Sequence, residues 1–594
     1  MCAETSVAPT DLIPTPDATM VLRMLRRLPN VAALALSFSL PLMGALLLTC
    51  GGPETAQVLN PDLPEPVPEP RPVRTVPRTT VRVVDGPRHP LDTFFRKLQA
   101  LELAQQEQQN DGQGGPAADV RVLHMGASHT ASDTVTGPLR LEFSRRFGEG
   151  GRGFIQPGVP WRRFRQLSAT YDMGGEWLAH NGMRRDAIAP FGLGGVRLES
   201  NVAGDWFTRA SCPECELGQA MDGVTLHYLK VPAGGSFNVY VDGYLFRTIS
   251  TTLSAADLAD VPVAPTDPDP DWAVDPADEE ARLATGTGLT VPGLGVEEYP
   301  VALPGESPAM WAPATLHIDL PEEHHEIRVE VVGDGSVSFT GVTTTSERAG
   351  VTYSAVGLNG SQGGHFTGFD ESMFLSDAAI IEPDLVIFAW GINETYSDRY
   401  VPTSPDPTEQ EWIDAGEHHR RVYSDLVRRF RQVNPQTACI FLLPTDLNPQ
   451  EHPARMAGAP PCTADPVTGI DEASCAMALP RTHRVIRDAQ ERAAADMGCL
   501  VWDQQYAMGG PGGMALWQVV DPPLAASDGV HLTMRGYESL ARTFFYDLMD
   551  TYELWKREPS PEVPLLTSRI PVLAPPPTEL NVSYEPWALQ SMWQ

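Results

Sequence analysis

Basic residues are scarce in this sequence of 594 residues. It carries 43 Lys and Arg against 76 Asp and Glu, which gives a formal net charge of −33. A chain this acidic repels phosphate backbones, which argues against nucleic acid as a partner. Anionic lipid surfaces repel it too, so any contact with a membrane requires an anchor.

Long hydrophobic runs are also scarce, and the clearest one lies near the start, over 31–48. A basic cluster at 23–27 precedes this run, and Cys50 follows it within two residues. This order is typical of a signal peptide, here 1–50, that ends at a bacterial lipoprotein cleavage site with Cys50 as the lipidated residue. An uncleaved transmembrane anchor is the alternative, and Met20 is a second candidate start. Each interpretation places the rest of the chain outside the cytoplasm, in the periplasm or at the cell surface.

Cysteine is sparse, with eight residues, of which six lie beyond the targeting segment. An even number in an exported chain suggests disulfides. Cys462 and Cys475 flank one loop and are expected to pair. Cys212-Pro-Glu-Cys215 has no second Cys-x-x-Cys with which to form a zinc site, so we expect a local disulfide there. Cys439 and Cys499 open two predicted strands, where either buried thiols or a third pair would fit.

Proline is abundant, with 56 residues, but unevenly spread. It is concentrated in three stretches, namely 52–90, 262–313 and 558–577. Such stretches favour extended tethers and loops over packed structure. We therefore expect a tether over 51–90, an exposed acidic loop over 254–313 and a C-terminal tail over 557–594.

Two parts of the chain, 91–159 and 346–556, alternate strand patterns with helical patterns. Short apolar runs at 120–125 and 385–390 suit buried parallel strands, and the stripe of apolar residues over 537–548 has helical spacing. Strands that alternate with helices indicate an α/β domain with a parallel, doubly wound sheet.

The region between them, 160–345, has a different pattern. Apolar residues alternate over 224–228, 237–241, 316–320 and 327–331, and the second of these runs ends at Asp242-Gly243, a hairpin signal. Alternation with frequent turns predicts an inserted β-sandwich. Trp177, Trp206 and Tyr244 are candidates for stacking on sugars, although each one singly also fits packing within the sandwich.

Three short segments carry the chemistry of a serine ester hydrolase. Ser128 follows the 120–125 strand and precedes a helix, which suits an exposed nucleophile, whereas a plain helix cap is the alternative. Asp528 and His531 share one loop before the last helix, where they suit a base and its orienting carboxylate. Asn393, in Gly391-Ile392-Asn393-Glu394, suits an oxyanion donor, and otherwise a turn residue.

Together these segments resemble the blocks of the SGNH (GDSL-like) hydrolase family, in the family's order. Gly357-Leu358-Asn359-Gly360 resembles the second block. The resemblance implies a three-layer α/β/α flavodoxin-like fold with an inserted β-sandwich domain, Ser128, Asp528 and His531 as the catalytic residues, and no metal or organic cofactor. It also implies an oxyanion hole formed by Ser128, Gly360 and Asn393.

Residues 126–154, with Ser-His-Thr at the nucleophile and Gly-Gly-Arg-Gly-Phe at 150–154, resemble the cell-envelope branch of this family, which includes peptidoglycan O-acetylesterases. That resemblance implies an acetylated polysaccharide, most simply peptidoglycan, as substrate. One departure is Ala127, which stands where the family has Asp. Because of this departure, a non-catalytic glycan-binding lipoprotein is one alternative function. Another acyl hydrolase or an O-acyltransferase on the same fold is a second alternative.

Overall fold

The computed structural model describes residues 89–111, 119–162, 164–184, 189–254, 257, 311–346, 348–397, 402, 406–448, 462, 464–465, 469–470, 475 and 479–557. The predicted signal segment with Cys50, the tether over 51–90 apart from its last two residues, most of the 254–313 loop and the tail after Arg557 lie outside these residues. Within the described ranges, no helix combines the length and the apolar character needed to cross a membrane.

A five-stranded parallel sheet forms the centre of the α/β part. Its strands are β1 (Asp119–Gly126), β13 (Gly350–Gly357), β14 (Leu385–Ala389), β15 (Ala438–Leu443) and β18 (Leu500–Asp503). They lie in the order β13-β1-β14-β15-β18, with every neighbouring pair parallel. Counted along the chain this is order 2-1-3-4-5, the order of the flavodoxin-like fold, so the predicted fold class is confirmed.

Helices cover both faces of this sheet because successive strand residues point to opposite sides. Along β14, Leu385 and Ile387 join one apolar cluster, whereas Val386 and Phe388 join the other. The first cluster is closed by α1 (Asp92–Asp111), α3 (Thr136–Phe147) and α11 (Met534–Arg557), and the second by α5 (Glu371–Ile381), α7 (Glu409–Val433) and α8 (Arg481–Met497). Five shorter helices complete the described set: α2 (Ser128–Ala131), α4 (Gly363–Thr367), α6 (Ile392–Ser397), α9 (Gln504–Ala507) and α10 (Gly513–Val519).

Two antiparallel sheets pack face to face between β1 and β13 in the sequence. Their strands are β2 (Gly153–Ile155), β3 (Thr170–Gly174), β4 (Leu178–Asn181), β5 (Val196–Ser200), β6 (Trp206–Ala210), β7 (Met221–Lys230), β8 (Ser236–Val241), β9 (Tyr244–Ser250), β10 (Ala312–Glu323), β11 (Glu326–Val331) and β12 (Val337–Thr345). One sheet has the order β10-β7-β12-β5-β4, with β2 added beside β12, and the other has the order β3-β6-β11-β8-β9. A small hairpin of β16 (Ala464–Asp465) and β17 (Gly469–Ile470) stands apart.

The core of the sandwich is aromatic. The ring of Phe339, from the first sheet, lies 5.1 Å from that of Phe207 and 4.8 Å from that of Phe237, both from the second sheet. Trp177 packs edge-on against Phe207 and Phe339, so its ring belongs to this core. Tyr244, by contrast, is 81% exposed.

Buried polar groups join the sandwich to the α/β part. His227 on β7 places Nδ1 3.0 Å from Oδ1 of Asp377 on α5, and its Nε2 lies 2.9 Å from Oγ1 of Thr343. Asp133, in the loop between α2 and α3, accepts hydrogen bonds from Arg140 at 2.8 Å and from Arg152 at 3.2 Å. The His227 contact ties the sandwich to α5, and the Arg152 contact ties the residue before β2 to the segment that follows Ser128.

Three disulfides are present among the described cysteines: Cys212–Cys215, Cys439–Cys499 and Cys462–Cys475. The pairing of Cys462 with Cys475 and the local bridge at 212–215 are as the sequence predicts. Of the two alternatives for Cys439 and Cys499, the structure has the disulfide, which joins β15 to the residue preceding β18.

Candidate active site

Ser128 is the first residue of α2, two residues beyond the end of β1. A Cβ atom on Gly126 would lie 2.3 Å from Oγ1 of Thr130 and 2.8 Å from the carbonyl oxygen of Ala389, so glycine is required for this tight passage. β1 and β14 are adjacent strands whose following helices pack on opposite faces of the sheet. Their carboxyl ends form the crevice where open α/β sheets bind ligands.

The loop before α11 brings Asp528 and His531 to Ser128. Nε2 of His531 lies 3.0 Å from Oγ of Ser128, and Nδ1 of His531 lies 2.6 Å from Oδ2 of Asp528. Oδ1 of Asp528 accepts the backbone N–H groups of Val530 at 3.0 Å and His531 at 2.8 Å. The three predicted side chains therefore form one hydrogen-bonded series, although 403 positions separate Ser128 from His531.

The electrostatics of this series favour a charged carboxylate. Burial alone would raise the pKa of Asp528, but the hydrogen bonds from the His531 ring and from the backbone of His531 and Val530 hold it well below the ordinary value. An ionised Asp528 fixes the proton of His531 on Nδ1, which leaves Nε2 as an acceptor facing the Ser128 hydroxyl.

The loop that carries Asp528 is held from outside as well. The carbonyl oxygen of Gly529 accepts the backbone N–H of Asn448 at 3.0 Å, and the Asn448 side chain donates to Gln518 at 2.7 Å. Two residues before Asn448, the carboxylate of Asp446 accepts hydrogen bonds from Gln505 at 2.6 Å and from the backbone of Gly512 and Met514, each at 3.0 Å. The loop that carries Asp528 and His531 thus contacts a segment that also contains Asp446, a buried carboxylate that no local motif marks.

Of the three predicted oxyanion donors, Gly360 comes after β13 and Asn393 after β14. Gly360 is exposed with φ of 81° and precedes α4, while Asn393 is on the first turn of α6. Nδ2 of Asn393 donates to the carbonyl oxygen of Ser361 at 2.8 Å, and Nε2 of Gln362 donates to the carbonyl oxygen of Asn393 at 3.2 Å. The two loops are therefore cross-linked. Asn393 and Ser128 line one cavity of about 30 Å³.

Two residues beside this site were not singled out from the sequence. The ring of His129 contacts His531 and Tyr537, since it lies 5.5 Å from the first ring and 5.4 Å from the second, edge-on in both cases. Glu394 is 1% exposed and accepts hydrogen bonds from Gly363 and Gly391. Both belong to the short motifs around Ser128 and Asn393, and this is the one signal that the sequence offers for them.

Ala127 packs into the apolar cluster on the face of the sheet that α5, α7 and α8 cover. The structure therefore fills with a methyl group the position where the resembled family carries a carboxylate. The contacts among Ser128, His531 and Asp528 do not pass through this residue.

Other titratable groups near the site have structural partners. His124 on β1 is buried, places Nδ1 2.9 Å from the hydroxyl of Tyr353, and has its pKa lowered by burial to about 3. In the sandwich, His325 pairs with Asp242 at 2.7 Å. Across the described parts of the chain, no group of three or more His, Cys, Asp or Glu side chains is arranged to hold a metal ion.

Comparison with known proteins gives a match at the level of structure. Neither the family models nor the curated protein sequences compared with this chain gave a match. A solved structure of a peptidoglycan O-acetylesterase superposes with a TM-score of 0.50 at 19% identity, covering 78% of this chain and 96% of its own. Two further structures reach a TM-score of only 0.22, which is too low to bear on the fold. One is a lipase/acylhydrolase from Enterococcus faecalis, at 16% identity, covering 34% of this chain and 77% of its own. The other is an acetyl xylan esterase, at 13% identity, covering 33% of this chain and 80% of its own.

The chain is thus similar in fold to a peptidoglycan O-acetylesterase over more than three quarters of its length. This confirms, at the level of fold, the resemblance to SGNH hydrolases that the sequence blocks indicate. The class defined by fold and site together is that of an α/β protein with a Ser-His-Asp series at the carboxyl edge of a parallel sheet.

Proposed function

We propose that the protein is a serine esterase that removes O-acetyl groups from a cell-envelope glycan, most simply peptidoglycan. The observation that carries this proposal is His531, which lies within hydrogen-bonding distance of both Ser128 and Asp528 at the sheet edge that also holds Asn393. This arrangement is that of an activated serine nucleophile with a base and an orienting carboxylate.

In the first half of the reaction, Oγ of Ser128 attacks the ester carbonyl carbon while its proton passes to Nε2 of His531. The tetrahedral oxyanion is stabilised by the N–H groups of Ser128 and Gly360 and by the side-chain amide of Asn393. The bond from carbon to the sugar oxygen then breaks, and His531 gives its proton to that oxygen. The products at this stage are the free sugar hydroxyl and an acetyl-serine.

In the second half, a water molecule attacks the acetyl-serine carbonyl and passes one proton to Nε2 of His531. The intermediate collapses, acetate leaves, and the proton returns to Oγ of Ser128. Asp528 stays ionised throughout and stabilises the imidazolium that forms twice.

The choice of a glycan ester as substrate is supported by the fold shared with a peptidoglycan O-acetylesterase and by the sandwich inserted between β1 and β13. The net charge of −33 suits a neutral sugar ester better than a phosphorylated polymer. We further propose that the chain is exported and held at the membrane through a lipid on Cys50, on the grounds of the basic and apolar segments before that residue.

The test is acetate release from O-acetylated peptidoglycan and, separately, from an aryl acetate. We expect the wild-type protein to release acetate from both, and Ser128→Ala to release none above background. Ser539→Ala, on the helix that follows the His531 loop, is a matched serine control and retains wild-type rates. Cleavage of the aryl acetate alone would support the esterase activity and exclude peptidoglycan as the substrate.

Two other outcomes would change the proposal. Transfer of acetyl to an added sugar acceptor, with little free acetate, would identify an O-acyltransferase on the same site. A folded protein that reacts with neither substrate nor a serine-directed phosphonate would favour the non-catalytic glycan-binding alternative that Ala127 suggests.

A further inference from the structure

Glu394 is a buried carboxylate that contacts both loops of the oxyanion hole. Its Oε2 accepts the backbone N–H of Gly391 at 2.9 Å, in the loop after β14. Its Oε1 accepts the backbone N–H of Gly363 at 2.9 Å, three residues after Gly360, and the hydroxyl of Tyr423 at 3.1 Å. One side chain thus joins the two segments that carry the proposed donors Gly360 and Asn393.

The chemistry of these contacts suits a carboxyl group at this position. Gly391, Gly363 and Tyr423 each donate a hydrogen bond, and both oxygens of Glu394 act as acceptors. An amide at this position would turn an NH₂ group toward either Gly391 or Gly363, and a buried donor facing a donor is costly. Because Glu394 is 1% exposed, water does not readily replace a lost contact.

The backbone next to this carboxylate adopts a conformation that must be held in place. Gly391 has φ of 125°, a conformation open to glycine alone, and an added Cβ there would lie 2.4 Å from Pro444. The hydrogen bond from Gly391 to Glu394 spans only three residues, so it sets the turn that delivers Asn393 to the site.

We infer that Glu394 is a positioning residue that fixes the separation and orientation of the two oxyanion donors, an inference that rests on the proposed esterase function. Preorganised donors accelerate the reaction because they need no rearrangement when charge develops on the substrate oxygen. Loosening them lowers kcat while leaving the binding of the uncharged ester nearly unchanged.

The test compares Glu394→Gln with Asn393→Ala and with the double variant, using an aryl acetate. Loss of a whole oxyanion donor costs roughly 100- to 1000-fold in kcat, so we expect Asn393→Ala in that range and Glu394→Gln lower by roughly 10- to 100-fold, with KM within about twofold of wild type. The double variant should be at most about threefold slower than Asn393→Ala, because both changes impair the same oxyanion hole. A double variant whose loss in kcat equals the product of the two single losses would overturn the inference.

Tyr423→Phe is the matched control, since it removes one donor to Glu394 and leaves both loop contacts in place. We expect its kcat to stay within about fivefold of wild type. If Glu394→Gln does not fold, Glu394→Asp serves instead. It keeps the carboxylate, but its side chain is one methylene too short to reach both loops. We expect the same loss in kcat, again with little change in KM.

Hydrogen exchange followed by mass spectrometry separates this inference from the proposed function. Peptides that contain Gly363 and Gly391 should exchange faster in Glu394→Gln than in the wild type, while peptides from β1 and α11 keep their rates. Unchanged exchange at both glycines would overturn the inference even in an active enzyme. If the wild-type protein hydrolyses no ester, the proposed function fails, and the exchange rates alone decide whether Glu394 holds the two loops.

Discussion

His531 and Asp528 contact each other twice, through the ring and through the backbone. The ring Nδ1 lies 2.6 Å from Oδ2, and the backbone N–H donates to Oδ1 at 2.8 Å. The second contact fixes the carboxylate independently of the ring, so the pair is oriented within its own four-residue loop. Both side chains remain about two-fifths exposed, which leaves the series open to substrate and water.

Replacing Asp528 by Asn should lower kcat on an aryl acetate by a factor on the order of 10⁴, because the amide favours the wrong tautomer of His531. The hydrogen bonds that hold the pKa of Asp528 below its ordinary value keep it ionised from about pH 5 upward. The two rates are compared at about pH 8, well above the range in which Asp528 titrates. Asp550→Asn, an exposed carboxylate on α11, is the control and should leave the rate unchanged. A loss in kcat of less than about tenfold would contradict this account.

His129, which follows Ser128 in the chain, should act as a neutral packing group. Burial, helped by the nearby His531, lowers its pKa to about 3, so it carries no charge above about pH 5. His129→Phe keeps an aromatic edge against His531 and should preserve the shape of the kcat/KM profile above that pH. His129→Ala removes the ring and should lower both kcat and Tm, because it leaves a cavity beside His531. A shifted acid limb in the Phe variant would mean that His129 titrates during catalysis.

Much of the fold could be predicted from local pattern. The expected strand at 120–125 lies within β1, the one at 385–390 extends one residue beyond β14, and the helical stripe over 537–548 lies within α11. These elements carry their signal in consecutive residues, either as apolar runs or as helical stripes. The predicted hairpin at Asp242-Gly243 also forms, with φ of 52° and 82° at these two residues.

The site was predictable where its residues share a short motif. Asp528 and His531 are three positions apart, and Asn393 comes four positions after the end of β14. The supporting groups give no such signal, because their partners are far along the chain. Asp446 contacts Gly512 across 66 positions, and Asp133 contacts Leu167 across 34. Contacts of this kind depend on tertiary packing, which periodicity does not encode.

Asp133 should be a major source of stability at the junction with the sandwich. It is fully buried, and although burial would raise its pKa, Arg140 and Arg152 hold it below the ordinary value. Asp133→Asn leaves two buried guanidinium groups without a countercharge, which should lower the free energy of unfolding by about 3–5 kcal/mol.

The measurement for Asp133 is urea unfolding of the two proteins at neutral pH. The control is Glu382→Gln, which removes an exposed partner of Arg121 at 3.4 Å and should cost less than about 1 kcal/mol. Equal losses in the two variants would show that the network at Asp133 contributes no more than a surface pair.

Asp446 should make stability fall as the pH rises through the weakly acidic range. Burial raises its pKa to about 6, against the hydrogen bonds from Gln505, Met514 and Gly512 that favour the ionised form. In the unfolded chain the pKa of this group is about 4, so the folded protein holds an extra proton between these values. The group therefore stabilises the fold at about pH 4, and that contribution is lost as the pH rises through about 6. The Tm of the wild type should fall relative to that of Asp446→Asn over this interval and run parallel to it above about pH 7. A constant difference from pH 4 to 8 would show that the three donors keep the carboxylate ionised throughout.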